Sequence, residues 1–503
     1  MLTDRYATRI RGTLSCFDRI LITGTLPDIC HAQAFTRELN RRRIRIFDFP
    51  QFAQPLRDAI RENAERLARE NGLVIEFIRR INAFRKEDRV QEILAQRGTH
   101  PGLVHIFSAM ETCASFQPWH DKRSGQTYLK PDSGKCLHYY FYFIDPDLGL
   151  CHLRVPTWAP FRLQFCMNGH NWLASRLKRH HIGYKLLDNA FVDIDDFARA
   201  QQIADHLKPL TLHRKLDRFA RTFCLAAAEF SAGYHWSLSQ VEYATDIVFK
   251  RREDLAPLYE HLVRTAVHAV RAEHVATFLG KKLDPRYLGE VGNDFNTRIQ
   301  GTRIRHQMGR SALKMYDKFG HVLRIETVTN DVSFFKHHRT VEHRDGSREV
   351  KLASVRKTLY SLGALAHLLG ASNRRYLEFL SSLDDDSAGR RHLERLSQPV
   401  RDEKRSWRGL NFFDARDREL LLTLARGEFN LRGFQVRDLR GILAQFTGPQ
   451  LSRQLKRLRM HRLIKSVRGT YRYYLTRLGR RVVAAASRLR EGSVIPALAC
   501  IPA

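Results

Sequence analysis

Between Asp414 and Arg490 three short helical periods are followed by a turn-bearing β pattern and one last helical period, an order that few folds accommodate. Asp414 stands as a cap before a helix expected to run to about Arg426, and Phe434 to Leu443 carries the second period. Thr447, Gly448 and Pro449 open the third. A threonine cap with proline in the first turn is a start signal, because proline lacks only an N–H that would have no helical partner there. Leu451, Leu455 and Leu458 then repeat at spacings of four and three, which makes one core-facing stripe. Gln450, Ser452, Arg453, Lys456, Arg457 and Arg459 are expected away from it. Residues 463–467 and 471–475 flank the turn at Arg468, Gly469 and Thr470, so a hairpin with a basic tip is expected, followed by the final helix.

From Leu431 to Arg490 there are 16 Lys or Arg and a single acid, Asp438. The whole chain carries 85 Lys plus Arg against 53 Asp plus Glu, a formal charge of +32. An excess of that size exceeds what solubility requires, so a polyanion is the expected partner. Helices leading to a basic helix and then a basic hairpin suit a reader that enters the major groove while the hairpin reaches phosphates or the minor groove. On that reading Gln450, Ser452, Arg453, Lys456, Arg457, Arg459, Arg468, Thr470 and Arg472 contact nucleic acid. The segment Leu455–Ile464 and the element order around it resemble the winged helices of the MarR-like regulators, over residues 411–490. The resemblance implies duplex-DNA binding and leaves a transcriptional regulator as one alternative. Family members flank the reader with dimerising helices, whereas here it ends a much larger chain, so dimerisation and ligand sensing do not carry over. A winged helix used for protein contacts or for packing is the other use of the same architecture.

At 503 residues the chain exceeds one ordinary core, and two to four domains are expected. A membrane surface is the competing polyanion, yet no stretch approaches the roughly 18–20 apolar residues that span a bilayer. The first ten residues lack the apolar run of a secretory signal. A cytoplasmic, nucleoid-associated protein with no membrane partner is therefore expected. The eight cysteines include no Cys-x-x-Cys pair and are read as reduced core residues. Cys136 with His138, and Cys151 with His152, look like metal-ligand fragments. They fall on two strands joined by the turn 145–149, where antiparallel pairing sets Cys136 several residues from Cys151. No metal site is expected from them.

Polar, biased sequence between about Ser381 and Gly409, including the acidic run Asp384–Asp386, marks the main boundary. An α+β, multi-domain protein follows: a lobe over 1–205, a second over 206–395 that is helical and then a β-hairpin, a linker over 396–410 and the DNA-binding domain over 411–490. Strands are expected at 20–23, 43–47, 73–78, 103–107, 138–144 and 150–155, a helix from Ala53 to Asn71, and helical structure from about Ile203 to Leu279.

Residues 313–318 and 322–328 read as two strands around the turn Phe319, Gly320 and His321. If Lys318 pairs with Val322, Tyr316 faces Arg324 and Lys314 faces Glu326 on one polar side, with Leu313, Met315, Leu323 and Ile325 on the other. The pattern is similar to a hairpin of rolling-circle replication initiators, in which a strand tyrosine attacks a DNA phosphate. That similarity implies a nucleophilic Tyr316, phosphate stabilisation by Lys314 and Arg324, and a divalent Mg2+ or Mn2+ held in part by Glu326. The His-hydrophobic-His metal pair of many such enzymes has no counterpart among the 23 histidines, which leaves a hard-cation site to carboxylates. The alternative is an ordinary cross-strand ion pair beside a half-buried tyrosine.

Tyr140 and Tyr142 share one face of their strand, opposite Tyr139, Phe141 and Phe143, and either stack unpaired bases or are buried. The segments 116–122 and 168–172 read as polar-aromatic loops, and Arg41–Arg43 with Arg303, Arg305, His306 and Arg310 as further positive surface. No Walker loop, dinucleotide glycine pattern or catalytic triad motif is present. Two readings remain: a non-enzymatic DNA-binding protein whose body binds more DNA, structured RNA or a partner, and a tyrosine-dependent DNA-nicking enzyme of a mobile element or replicon.

Overall fold

The computed structural model describes residues 2–79, 84–283, 289–298, 301–383, 386–403, 405–467, 469–490 and 495. The protein is mixed α/β and divides into two compact units, Met1–Ser381 and Ser382–Ala503. Among the described residues no helix is long and apolar enough to cross a membrane.

The first unit is organised by one 11-stranded sheet. Its strands are β1 (Ile10–Thr25), β2 (Ile75–Phe77), β3 (Gly102–His120), β4 (Thr127–Asp145), β5 (Gly149–Pro156), β6 (Leu163–Asn168), β9 (His235–Phe249), β10 (Val291–Arg298), β11 (Gly301–Met308), β12 (Ser311–Lys318) and β13 (Val322–Thr329); β7 (Tyr184–Leu187) and β8 (Ala190–Ile194) form a separate hairpin. The order across the sheet is β10-β11-β12-β13-β9-β1-β6-β5-β4-β3-β2, antiparallel throughout except for β2 beside β3. β1 pairs with β9 over most of its length, so residues from both expected lobes share one ladder and the division near residue 205 is not found. The expected helical stretch 203–279 is likewise interrupted, because β9 lies within it at the centre of the sheet. The expected strand at 43–47 is instead a turn, with Arg43 at a positive φ, leading into one 3-10 turn at Ile46–Asp48.

Aromatic side chains on β4 show how the sheet is covered. Tyr139, Phe141 and Phe143 face the main core, where Phe141 stacks on Phe223 and Phe143 meets Phe219 edge-on, both from the helix Pro209–Phe223. Tyr140 and Tyr142 take the opposite face, as strand alternation requires, and are buried with Ile78, Val90, Val104 and Phe107. Tyr140 donates its hydroxyl hydrogen to Glu111, and Lys86 Nζ sits 3.8 Å from its ring centre. This tyrosine face is therefore enclosed and presents no platform for bases. Cys151 pairs in register with Phe143, whereas Cys136 lies beside Cys113 on β3; the seven described cysteines are all free thiols.

In the second unit the helix Ala415–Leu424 starts at Asp414, whose carboxylate accepts the Asp417 N–H at 2.9 Å. A short helix at Gly427–Arg432, absent from the sequence reading, precedes Val436–Arg440 and then Gly448–Met460. Thr447 caps the last of these: its hydroxyl accepts Gln450 N–H while Gln450 Oε1 accepts Thr447 N–H. Strands Ile464–Ser466 and Tyr473–Leu475 pair in the hairpin, Phe434 bridges to Tyr473 on its other side, and the helix Arg477–Leu489 follows. Leu451, Leu455 and Leu458 lie fully within this unit's core, as their spacing predicts. Leu396 and Leu410 belong to the same core, and Val400–Arg401 pairs with Ser406–Trp407. Residues 396–403 and 405–410 are thus folded structure of this unit, and the expected linker is corrected accordingly. Asp384, Asp385 and Arg468 lie outside the described residues.

Candidate functional site

Two groups of residues merit description as sites, one in each unit. The first grows from the β12–β13 hairpin, whose register matches the expectation: Lys318 opposite Val322, Tyr316 opposite Arg324, Lys314 opposite Glu326. Leu313, Met315, Leu323 and Ile325 fill the apolar face. The polar face is buried except at its Lys314 edge. β9 lies beside β13 and sets Asp246 opposite Arg324, while β1, the next strand, gains one extra residue between Phe17 and Ile20 relative to β9. Such a bulge re-aims a side chain, and here Asp18 joins the cluster. The helix Gly169–Arg179 brings in His170. Its cap, Asn168, accepts the N–H groups of His170 and Asn171 with Oδ1 and donates Nδ2 to Asp18 at 3.0 Å. Residues 168–172 are therefore a capped helix start rather than a loop.

Arg324 is fully buried and donates Nε and Nη2 to the two oxygens of Asp246, at 2.7 Å each. Nη2 also reaches the Asn189 carbonyl at 2.6 Å and lies 2.9 Å from His170 Nε2, and Nη1 lies 3.5 Å from Asp18 Oδ1. Burial alone would raise the Asp246 carboxyl, yet Arg324 and His170 hold it at about 2. Asp18 is held well below the ordinary range for the same reasons. Two residues away, Glu326 Oε2 accepts from Lys314 Nζ at 2.8 Å, and Glu242 lies 3.8 Å from the same nitrogen. Burial, together with the charges of Asp18 and Glu242, pushes Glu326 up to about 7 against the pull of Lys314 and Arg324. Tyr316 is buried, and burial with the Glu326 charge raises its phenol well above the usual value.

This corrects the roles drawn from the hairpin alone. A nucleophilic tyrosine needs an accessible, readily ionised oxygen, and Tyr316 has neither property. Arg324 is engaged by Asp246 and is not presented to a phosphate. Lys314 and Glu326 form the cross-strand ion pair of the alternative reading, within a cluster that includes Asp18, Glu242, Asp246 and His170. Of those four, only His170 lay in a segment singled out beforehand. Glu242 and Asp246 were legible only by recognising β9, whose Trp236, Leu238, Val241, Tyr243 and Ile247 carry a strand-like pattern. His306, expected on a positive surface, is buried between Asn293 and Tyr376.

In the second unit Gln450, Ser452, Arg453, Lys456 and Arg459 are exposed along Gly448–Met460. Arg457 is not: it is buried in a two-pronged pair with Asp417, at 2.7 and 2.8 Å, and donates to the Arg408 and Gly409 carbonyls. The helix packs on two sides, against the leucine core and against the start of Ala415–Leu424, and Arg457 falls on the second. Its expected place among outward contacts is corrected. Burial would raise Asp417, but the Arg457 and Asn411 hydrogen bonds hold its carboxyl below the usual range. Lys456 Nζ lies 3.6 Å from Asp402 and over the Trp407 ring, in a part-exposed setting. Thr470 is exposed at the hairpin, and Arg472 donates to the Arg432 carbonyl at 2.8 Å.

A cavity of about 550 Å³ lies elsewhere in the first unit, lined by Arg176, His180, Arg199, Lys208 and Lys215 among others; Lys215 is engaged by Asp145 and Asp147. Comparisons with protein-family models, curated proteins and solved structures give no match to this chain.

Proposed function

We propose that this chain binds duplex DNA through its second unit, which acts as a winged helix with Gly448–Met460 as the groove-entering helix. One observation carries the reading. Arg453, Lys456 and Arg459 are exposed on a helix whose opposite side, Leu451, Leu455 and Leu458, is buried in its own unit. Such a helix is rigidly held and still offers donors to phosphates and base edges. The bridge from Phe434 to Tyr473 supports the same reading by tying the hairpin to the helices. The Asp402–Lys456 contact opposes it only weakly, since part-exposed pairs contribute about 0–1 kcal/mol and exchange readily for a phosphate. The reader is joined to a large first unit, so a role in a mobile element, a replicon or another nucleoprotein assembly fits better than simple regulation.

Fluorescence anisotropy with labelled duplex DNA tests the proposal. The Arg453→Ala/Lys456→Ala variant is expected to bind about tenfold or more weakly while remaining folded. Equal affinity of variant and wild type would remove the groove assignment, and preference for structured RNA over duplex DNA would redirect it.

A further inference from the structure

We infer that Asp18, Glu242 and Glu326 form a binding site for one hard divalent cation of the Mg2+ or Mn2+ class. The three carboxyls come from β1, β9 and β13, adjacent strands of the sheet, and each offers an oxygen within 4.8 Å of the others. All-oxygen carboxylate sets suit hard cations, and convergence from rigid strands fixes the separation without loop ordering.

An acidic cluster alone would not carry this. The second observation is Glu326 Oε1, which accepts no hydrogen bond among the described residues, on a side chain that is 1% exposed. A buried carboxylate oxygen without a donor is costly, and Glu326 shares this cluster with the Asp18 and Glu242 carboxyls. The partners of Asp18 from Asn168, Asn189 and His170 converge on Oδ1, and the Glu326 carboxyl faces Asp18 as well. Among the described residues Lys314 is the only cation in hydrogen-bond reach of Glu326, and it approaches Oε2, not Oε1. Its ammonium is the resident positive charge, shared between Glu326 and Glu242. Both Lys314 and Glu242 are partly exposed, and an ion reaches the cluster from their side.

The site shares Glu326 and the cation class with the expectation from the hairpin, and adds Asp18 and Glu242 as ligands. No tyrosine step is invoked, and Arg324 with Asp246 and His170 acts as the scaffold that holds Asp18 in place. Entry of a divalent ion displaces Lys314 from Glu326, so the lysine and the ion compete for the same carboxylates. That competition gives the test a sign that a merely structural cluster would not produce.

The experiment is Mn2+ titration of the full chain, followed by loss of the free-ion electron paramagnetic resonance signal. It is repeated on Glu242→Gln, Glu326→Gln and Lys314→Met. The expected result is one Mn2+ per chain, displaced by excess Mg2+, weakened about tenfold or more in either glutamine variant and tightened in Lys314→Met. Glu242→Gln, at the more exposed edge, keeps the comparison valid if Glu326→Gln fails to fold. Binding that is unchanged in a folded Glu242→Gln chain assigns the ion to surface carboxylates and overturns the proposal, as does a folded wild-type chain that binds none.

Discussion

Two arginines four residues apart, Arg453 and Arg457, show how far a residue's role depends on what packs beside it. Arg457 is enclosed with Asp417, and deleting it leaves a buried carboxylate without its partner. Arg457→Ala is therefore expected to destabilise the second unit by about 3–5 kcal/mol, measured by chemical denaturation. Arg453→Ala, on the exposed side, is expected to change stability by less than about 0.5 kcal/mol, and equal costs for the two would contradict the assignment. Buried histidines give a second residue-scale prediction. Burial lowers His138 and His306 to about 4. Both are then neutral in the folded chain, while the unfolded chain takes up protons from its ordinary value near 6.5. The stability they contribute is present above about 6.5 and lost as the pH falls toward 4, on the order of 3 kcal/mol each. A melting temperature that holds steady from pH 7 to pH 4.5 would count against it.

At the scale of elements, the helix Gly169–Arg179 and the bulge of β1 are built together. A Cβ at Gly169 would lie 2.0 Å from the Phe17 carbonyl oxygen, a backbone atom that cannot move aside. Gly169→Ala is expected to cost about 1–3 kcal/mol or more and to lower the melting temperature of the first unit, although alanine is the better helix former. An unchanged or raised melting temperature would show that the helix start is not pressed against β1. The same elements show what the sequence made legible. A three-residue turn with glycine at a positive φ set the β12–β13 register, and cap, proline and leucine spacing located Gly448–Met460. These two local signals were read correctly, whereas the strand pattern at 43–47 proved to be a turn. Helical periodicity gives the angular position of Arg457 but not the neighbour on that flank, so its burial was missed. Asp18, His170, Glu242 and Asp246 meet Arg324 and Glu326 only through a bulge and a strand order that no local pattern records.

Across the whole molecule, positive charge is distributed unevenly, and the region from Leu431 to Arg490 concentrates it on a unit with its own core. The first unit buries a cluster of ionisable groups, Arg324, Asp246, Asp18 and Glu326, in one sheet. The two units thus differ in how charge is arranged, exposed and basic along one helix in the second and desolvated in a carboxylate cluster in the first. Each phosphate neutralised on duplex DNA releases counterions and contributes about −0.9 to the slope of log affinity against log salt. The most direct measurement is that slope for the full chain and for Arg453→Ala/Lys456→Ala. The account predicts a slope of several units for the wild type, shallower by about two in the variant. A slope near zero, or one that the two substitutions leave unchanged, would contradict DNA binding through this helix.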